Sequence, residues 1–274
     1  MRPVITFTTD FGPSAPAVCR AVMFRFCPDA NIIDISHQVP RYSIRDGAGT
    51  LVFALPYMPI GIHVAVVDPG VGTDRLAVGL LTGRGDILIG PDNGLLIGAG
   101  EAIGGIVEAR VLQNRELMLD QISSSFHGRD IFAPMAGHLA AGVPFETVGP
   151  TVPVERLVRL PVIKPTVGDG VLETTIVHVL IYGNLTFAGV PADLEAAIGP
   201  LTANRPLVLE FPAHGGAPAV EERTVWARTF GEVPLGASLL YSDSEGHLAL
   251  ADNQGDAAAR LGVTLDRPVR IRPG

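Results

Sequence analysis

The 274-residue chain holds only two cysteines, Cys19 and Cys27, and no CxxC pair, so it lacks both a disulfide framework and a cysteine-based zinc site. They fall eight residues apart in one expected helix, too far along its axis to bridge, and read as reduced, semi-buried residues. Basic residues are few as well. Twenty Lys and Arg stand against 28 Asp and Glu, a formal net charge of −8, which argues against a nucleic-acid or anionic-membrane partner, since both need basic patches. No apolar run reaches the roughly 18 residues of a membrane span, and no basic leader with a cleavage site opens the chain. The expectation is a soluble, cytoplasmic protein. Also missing are HExxH, GxxxxGK[ST], GxSxG and a GxGxxG that follows a strand, which argues against a zincin, a P-loop nucleotidase, a serine hydrolase and a Rossmann dinucleotide binder.

What is present is glycine (32), proline (23) and a hydrophobic fraction of 47% against 18% charged, the composition of a globular protein rich in turns. The order of elements is legible. Strands are expected at Val4–Thr8, Asn31–Ile35, Ile62–Val67, Ala77–Leu81 and Ile87–Ile89, with helices at Ala17–Phe26, Ile44–Leu55 and Ile131–Ala141. Strands alternating with helices imply βαβ units and a mostly parallel sheet. The character changes after Pro150. Pro144, Pro150, Pro153, Pro161 and Pro165 mark an extended connection. Beyond it, short apolar runs at Leu172–Tyr182, Leu207–Phe211, Thr224–Phe230, Ser238–Tyr241 and His247–Ala251 suggest a small antiparallel barrel or sandwich. The expected organisation is an α/β domain over residues 1–160 and a smaller β domain over 161–274.

Four polar clusters fall where strands or helices should end: Thr9-Asp10, Asp68 with Arg75, Asp92-Asn93, and Ser123 through Asp130 with His127 at its centre. Singly, each has an ordinary explanation, such as a helix cap, a tight turn or a surface histidine. Jointly they matter more, because three follow strands of one expected sheet, and open α/β sheets bind ligands at the carboxyl ends of their strands. The stretch DPGVGTDR (68–75) is the most informative. A buried strand ends on a carboxylate, a glycine-rich turn lets backbone approach a ligand, and Arg75 returns a permanent positive charge. Asp68, Arg75 and His127 form a set suited to handling water. Arg75 cannot be a base but can favour hydroxide, His127 can accept the proton, and Asp68 can hold Arg75. A hard-metal site on Asp10, Asp68 and Asp92 stays open as a second chemistry, although Arg75 would partly neutralise it.

The segments TFTTDFG, DPGVGTDR, GPDNGLL and SFHGRDIFAPMAGHLAAG, in this order and at these spacings, resemble the S-adenosyl-L-methionine hydroxide adenosyltransferases, relatives of the fluorinase and chlorinase enzymes. The likeness is close over the first 150 residues and looser through IYGNL and LLYSDSEGHLALADNQGDAAARLG. It implies an N-terminal α/β domain joined to a C-terminal β-barrel and assembly as a homotrimer. It implies hydrolysis of S-adenosyl-L-methionine to adenosine and L-methionine by hydroxide attack on the 5′ carbon, with no cofactor or metal. The water-activating triad it implies is Asp68, Arg75 and His127. Asp10 matches the ribose-binding aspartate, Tyr42 and Phe126 match aromatic positions that pack on substrate, Tyr182 and Asn184 match residues near adenine, and Ser244 matches a serine near the methionine end. Halogenases resembling this fold place a serine where Gly128 stands. Several features depart from the family, above all the segment Val177 to Tyr182, which has no carboxylate where members carry the aspartate that grips the methionine ammonium. The Thr-Asn pair is absent from Leu185–Ala188, Glu245 follows Ser244, and Pro13–Pro16 lacks a polar residue often seen there. A nucleoside-binding protein with altered or lost turnover, or a metal-assisted hydrolase of a related 5′-substituted adenosine, are the alternatives.

Overall fold

Five of the six residues of Val4–Thr9 (β1) are buried, as expected for a strand covered on both faces. In the computed structural model, which describes residues 2–274, this strand sits inside the first of two compact units, one ending at Leu160 and the other running Pro161–Gly274. The first unit continues through α1 (Ala15–Phe26), β2 (Asn31–Ser36), α2 (Ile44–Ala54), β3 (Ile62–Val66), β4 (Ala77–Thr82), β5 (Ile87–Pro91), α3 (Ile97–Ala102), β6 (Ile106–Val111) and α4 (Ala133–Ala140). The sheet order is β2-β1-β3-β5-β4-β6. Pairs β1–β2, β1–β3 and β3–β5 are parallel, while β4 runs antiparallel to β5 and β6.

Side chains alternate across the sheet, and each set meets its own helices. Ile5, Phe7, Val64 and Val66 pack with Cys19 and Met23 of α1 and Met135 and Leu139 of α4. Ala65 and Val67 face Leu51 of α2 and Ile97 and Ala99 of α3. Each large buried side chain contributes about 1.5–3 kcal/mol. The chain leaves β1 for β2 on one side and returns to β3 on the other. The carboxyl ends of β1 and β3 therefore flank the point where the strand order reverses, the place where such sheets open a crevice. One polar chain crosses the sheet interior. Thr6 Oγ1 meets His63 Nδ1 at 2.9 Å, His63 Nε2 meets Asp86 Oδ1 at 2.9 Å, and Arg84 Nε donates to Asp86 Oδ2 at 2.6 Å.

Several expectations need correction. Cys27 is the residue after α1, not part of it, and both cysteines are buried rather than half-buried. Burial pushes the Cys19 thiol up to about 12, so it is inert. The proline-marked connection begins in the sheet: Val111 N donates to the Pro150 carbonyl at 2.9 Å and Val152 N to Ala109 at 2.9 Å. Helix α3 and strand β6 had no sequence expectation, because glycines at 98, 100, 104 and 105 interrupt both patterns.

The second unit comprises β7 (Thr166–Val167), β8 (Leu172–Val179), β9 (Leu185–Phe187), α5 (Pro191–Ile198), β10 (Pro206–Phe211), β11 (Val220–Trp226), β12 (Ser238–Ser242), β13 (Leu248–Asp252), α6 (Ala257–Leu261) and β14 (Pro268–Pro273). Strands run β14-β10-β11-β12-β13-β9-β8, and β8 pairs back onto β14, so the sheet closes as a barrel and not a sandwich. All its pairs are antiparallel except β11–β12. The barrel interior holds Leu172, Phe187, Phe211, Leu250 and Ile271. Strand β8 stops at Val179, short of the expected Tyr182, and the strand expected at Thr224–Phe230 runs Val220–Trp226.

Candidate functional site

At the carboxyl ends of β1 and β3, a cleft of about 310 Å³ is lined by Asp10, Phe11, Arg41, Tyr42, Val66, Asp68, Val71 and Ser125–Gly128. That volume is at the small end of the range for small-molecule sites. Asp68 follows the last buried residues of β3, and a tight turn then brings Arg75 back over it. Val71 N donates to the Asp68 carbonyl at 3.2 Å, and Thr73 N and Oγ1 donate to the Gly70 carbonyl at 3.2 and 2.6 Å. The turn passes Gly72 at φ 78°, where a Cβ would lie 2.2 Å from the Ser124 carbonyl oxygen. Only glycine permits that approach.

Arg75 Nε donates to both oxygens of Asp68 at 3.0 and 3.1 Å, and Arg75 Nη2 lies 2.8 Å from His127 Nδ1. Its guanidinium also stands 5.5 Å from the centre of the Phe132 ring. Both members of the ion pair are nearly buried, at 10% and 5% side-chain exposure, so the pair is little screened. Arginine has donors only, so His127 Nδ1 must accept, and the neutral ring carries its proton on Nε2. Burial and then the Arg75 charge hold the His127 pKa below its ordinary value, with Asp68 and Asp130 opposing. The ring is therefore neutral near pH 7 and offers an N–H, not a lone pair, from the nitrogen that Arg75 leaves free. The expected role of His127 as proton acceptor does not fit this arrangement.

His127 is positioned by a π-helical turn at Gly128–Phe132, in which Ala133 N donates to the Gly128 carbonyl. Such turns widen a helix locally and occur often at functional positions. Asp130 locks the turn from behind, accepting from Ser123 N at 2.8 Å and from Arg129 Nε at 2.6 Å. Burial alone would raise its pKa, but these hydrogen bonds outweigh it and hold the carboxyl below the usual range. Gly128 makes room for Phe11, whose ring lies 2.8 Å from where a Cβ would stand and packs edge-on against Phe126 at 5.5 Å. Sequence alone pointed to none of these contacts.

Opposite the triad, Asp10 Oδ2 accepts from the backbone of Tyr42 at 3.0 Å. The structure thus brings Asp10, Tyr42, Asp68, Arg75, Phe126 and His127 together in the first unit. Asp92 does not join them. Its carboxylate accepts from Val158 N at 2.9 Å, and burial raises its pKa. The neighbouring Asn93 bonds the Val67 carbonyl at 2.9 Å and so braces the residue before Asp68. Among the described residues, no three His, Cys, Asp or Glu side chains converge as a metal site.

Tyr182, Asn184 and Ser244 belong to the second unit. Tyr182 stands 75% exposed on the turn after β8. Asn184 is buried, its Nδ2 3.5 Å from Tyr241 Oη. Ser244 is exposed on the β12–β13 turn, where Asp243 Oδ1 accepts from Glu245 N and His247 N at 3.0 and 2.9 Å.

The residues of this chain match two family models. The one described as SAM hydroxide adenosyltransferase N-terminal domain covers residues 5–149, and the one described as the C-terminal domain covers residues 174–270. The chain is 42% identical to the (R)-S-adenosyl-L-methionine hydrolase of Salinispora tropica, across 99% of this chain and 98% of that protein. It is 37% identical to the enzyme of the same name from Thermus thermophilus, across 99% and 100%. Among solved structures, an uncharacterized conserved protein from Thermotoga maritima is similar at a TM-score of 0.85 and 33% identity, covering 98% of this chain and 99% of that one.

Proposed function

Because the chain belongs to the SAM hydroxide adenosyltransferase family, we propose that it hydrolyses S-adenosyl-L-methionine to adenosine and L-methionine at the cleft above β1 and β3. The observation that carries this reading is the hydrogen-bonded series Asp68–Arg75–His127 at the cleft wall. The oxygen of water bonds to the 5′ carbon as the carbon–sulfur bond breaks. The bonding pair goes to sulfur, which leaves as the neutral thioether of methionine, and one proton leaves the water. A sulfonium needs no acid to depart, so the demand falls on the nucleophile, whose bulk pKa is about 15.7.

The three side chains divide that task. His127 Nε2–H donates to the oxygen of the water and orients it. Arg75 supplies a fixed positive charge that stabilises hydroxide in a partly dry site. The carboxylate of Asp68 carries lone pairs at the cleft and takes the proton, which then passes to solvent. In this reading Asp10 keeps Oδ1 for the ribose hydroxyls, while Tyr42 and Phe126 pack on the substrate. Tyr182, Asn184 and Ser244 are assigned to adenine and methionine contacts on the family resemblance, as are the homotrimeric assembly and the cytoplasmic location.

Incubating purified protein with S-adenosyl-L-methionine, with and without a chelator, tests the reaction. The expected outcome is equimolar adenosine and methionine, at a rate the chelator leaves unchanged. Tight adenosine binding without methionine release would support a binding protein instead, and loss of activity on chelation would support a metal-assisted hydrolase. Asp68→Asn should lower kcat/KM by about 10²–10⁴, the usual contribution of a positioned proton acceptor.

A further inference from the structure

We propose that Arg41 recognises the carboxylate at the amino-acid end of the substrate, an assignment that rests on the cleft being the S-adenosyl-L-methionine site. Arg41 lines the cleft beside Asp10 and Tyr42 from the solvent-exposed side, and among the described residues it has no ion pair or hydrogen-bond partner. The other ionisable groups of the cleft already have roles. Asp68 is paired with Arg75, His127 is neutral, and Asp10 accepts from the Tyr42 backbone. A guanidinium at the cleft with no protein partner is free to take an anion, and carboxylate is the only anionic group this substrate carries. The planar fork of arginine matches a carboxylate through two parallel hydrogen bonds.

The backbone supports the same assignment. Residues Pro40–Ser43 close a β-turn, with Ser43 N donating to the Pro40 carbonyl at 3.0 Å. Tyr42 occupies the position of that turn that needs a positive φ, at 65°, where glycine is the ordinary residue. A bulky residue held there is strained, and strain of this kind collects at binding sites, where the surroundings enforce it. Here the Asp10 carboxylate fixes the turn from one side, and Ser43 fixes it from the other by accepting from Asp46 N as the cap of α2. The turn is thereby held in the conformation that presents Arg41 and Tyr42 together at the cleft.

The test compares S-adenosyl-L-methionine with its decarboxylated analogue, which keeps the sulfonium, the amine and the adenosyl group. The wild-type protein should prefer the full substrate by at least tenfold in kcat/KM. Arg41→Gln should cut that preference at least tenfold, mainly through KM, and should weaken product inhibition by L-methionine but not by adenosine. Arg41→Lys should fall between the two, since it keeps the charge and loses the fork. If Arg41→Gln retains the wild-type preference and methionine inhibition, the assignment of Arg41 is wrong. If the wild-type protein releases no methionine from the full substrate, the activity proposed above is wrong.

Discussion

In the proposed reaction, one proton on His127 decides the chemistry. Its Nδ1 accepts from Arg75, so protonating the ring both breaks that contact and places two positive charges 2.8 Å apart. Burial and the Arg75 charge lower its pKa, so the neutral, competent form persists below the ordinary value of 6.5. The acid limb of a kcat/KM profile should therefore lie below pH 6.5, and an acid limb above that value would refute the tautomer assigned here. Tyr42 offers a second test. Tyr42→Gly should relieve a left-handed strain of roughly 1 kcal/mol, raising the melting temperature while weakening substrate binding. Asp68, Arg75 and His127 were legible in the sequence because DPGVGTDR ends a buried strand and the histidine sits in a polar run before a helix. The direction of the hydrogen bond to His127, and so its role, was not, because it depends on which ring nitrogen faces Arg75. Nor was the exclusion of Asp92, whose turn looked like those after β1 and β3 but whose carboxylate serves the 158 backbone.

At the scale of elements, the central strands carry polar groups as well as apolar ones. His63 lies on β3, fully buried between Thr6 and Asp86. Burial lowers its pKa against the opposing pull of Asp86. An unfolded chain takes up the proton near pH 6.5 while the folded chain does not, so stability is complete above that pH and is lost as pH falls below it. The loss is at most about 1.4 kcal/mol per pH unit for this one group. In thermal melts between pH 7 and pH 5, His63→Gln should show a smaller drop in melting temperature than the wild type; an equal drop would assign the pH dependence to other groups. The parallel core of β1, β2 and β3 with α1 and α2 was readable because strand and helix periods alternate cleanly there. By contrast α3 is only six residues, and the turn that carries Gly128–Phe132 has π-helical spacing that no 3.6-residue pattern announces.

Over the whole molecule, the net charge of −8 favours a substrate that carries net positive charge. Raising the salt from 10 mM to 0.5 M should lower kcat/KM for S-adenosyl-L-methionine by less than tenfold, through screening, with kcat unchanged. A rise in kcat/KM with salt would contradict this. The short strands were legible in the sequence pattern and the family resemblance implied a barrel, but the pairing that closes it was not readable, since β14 pairing with β8 joins segments nearly a hundred residues apart. The contact at Gly72 has a mechanical consequence. The carbonyl of Ser124 fills the space a side chain at 72 would take, so the segment after β3 and the one ahead of α4 are keyed into each other. A side chain at 72 would have to push the two segments apart, and with them the Asp68–Arg75 pair carried by one and the His127 ring carried by the other.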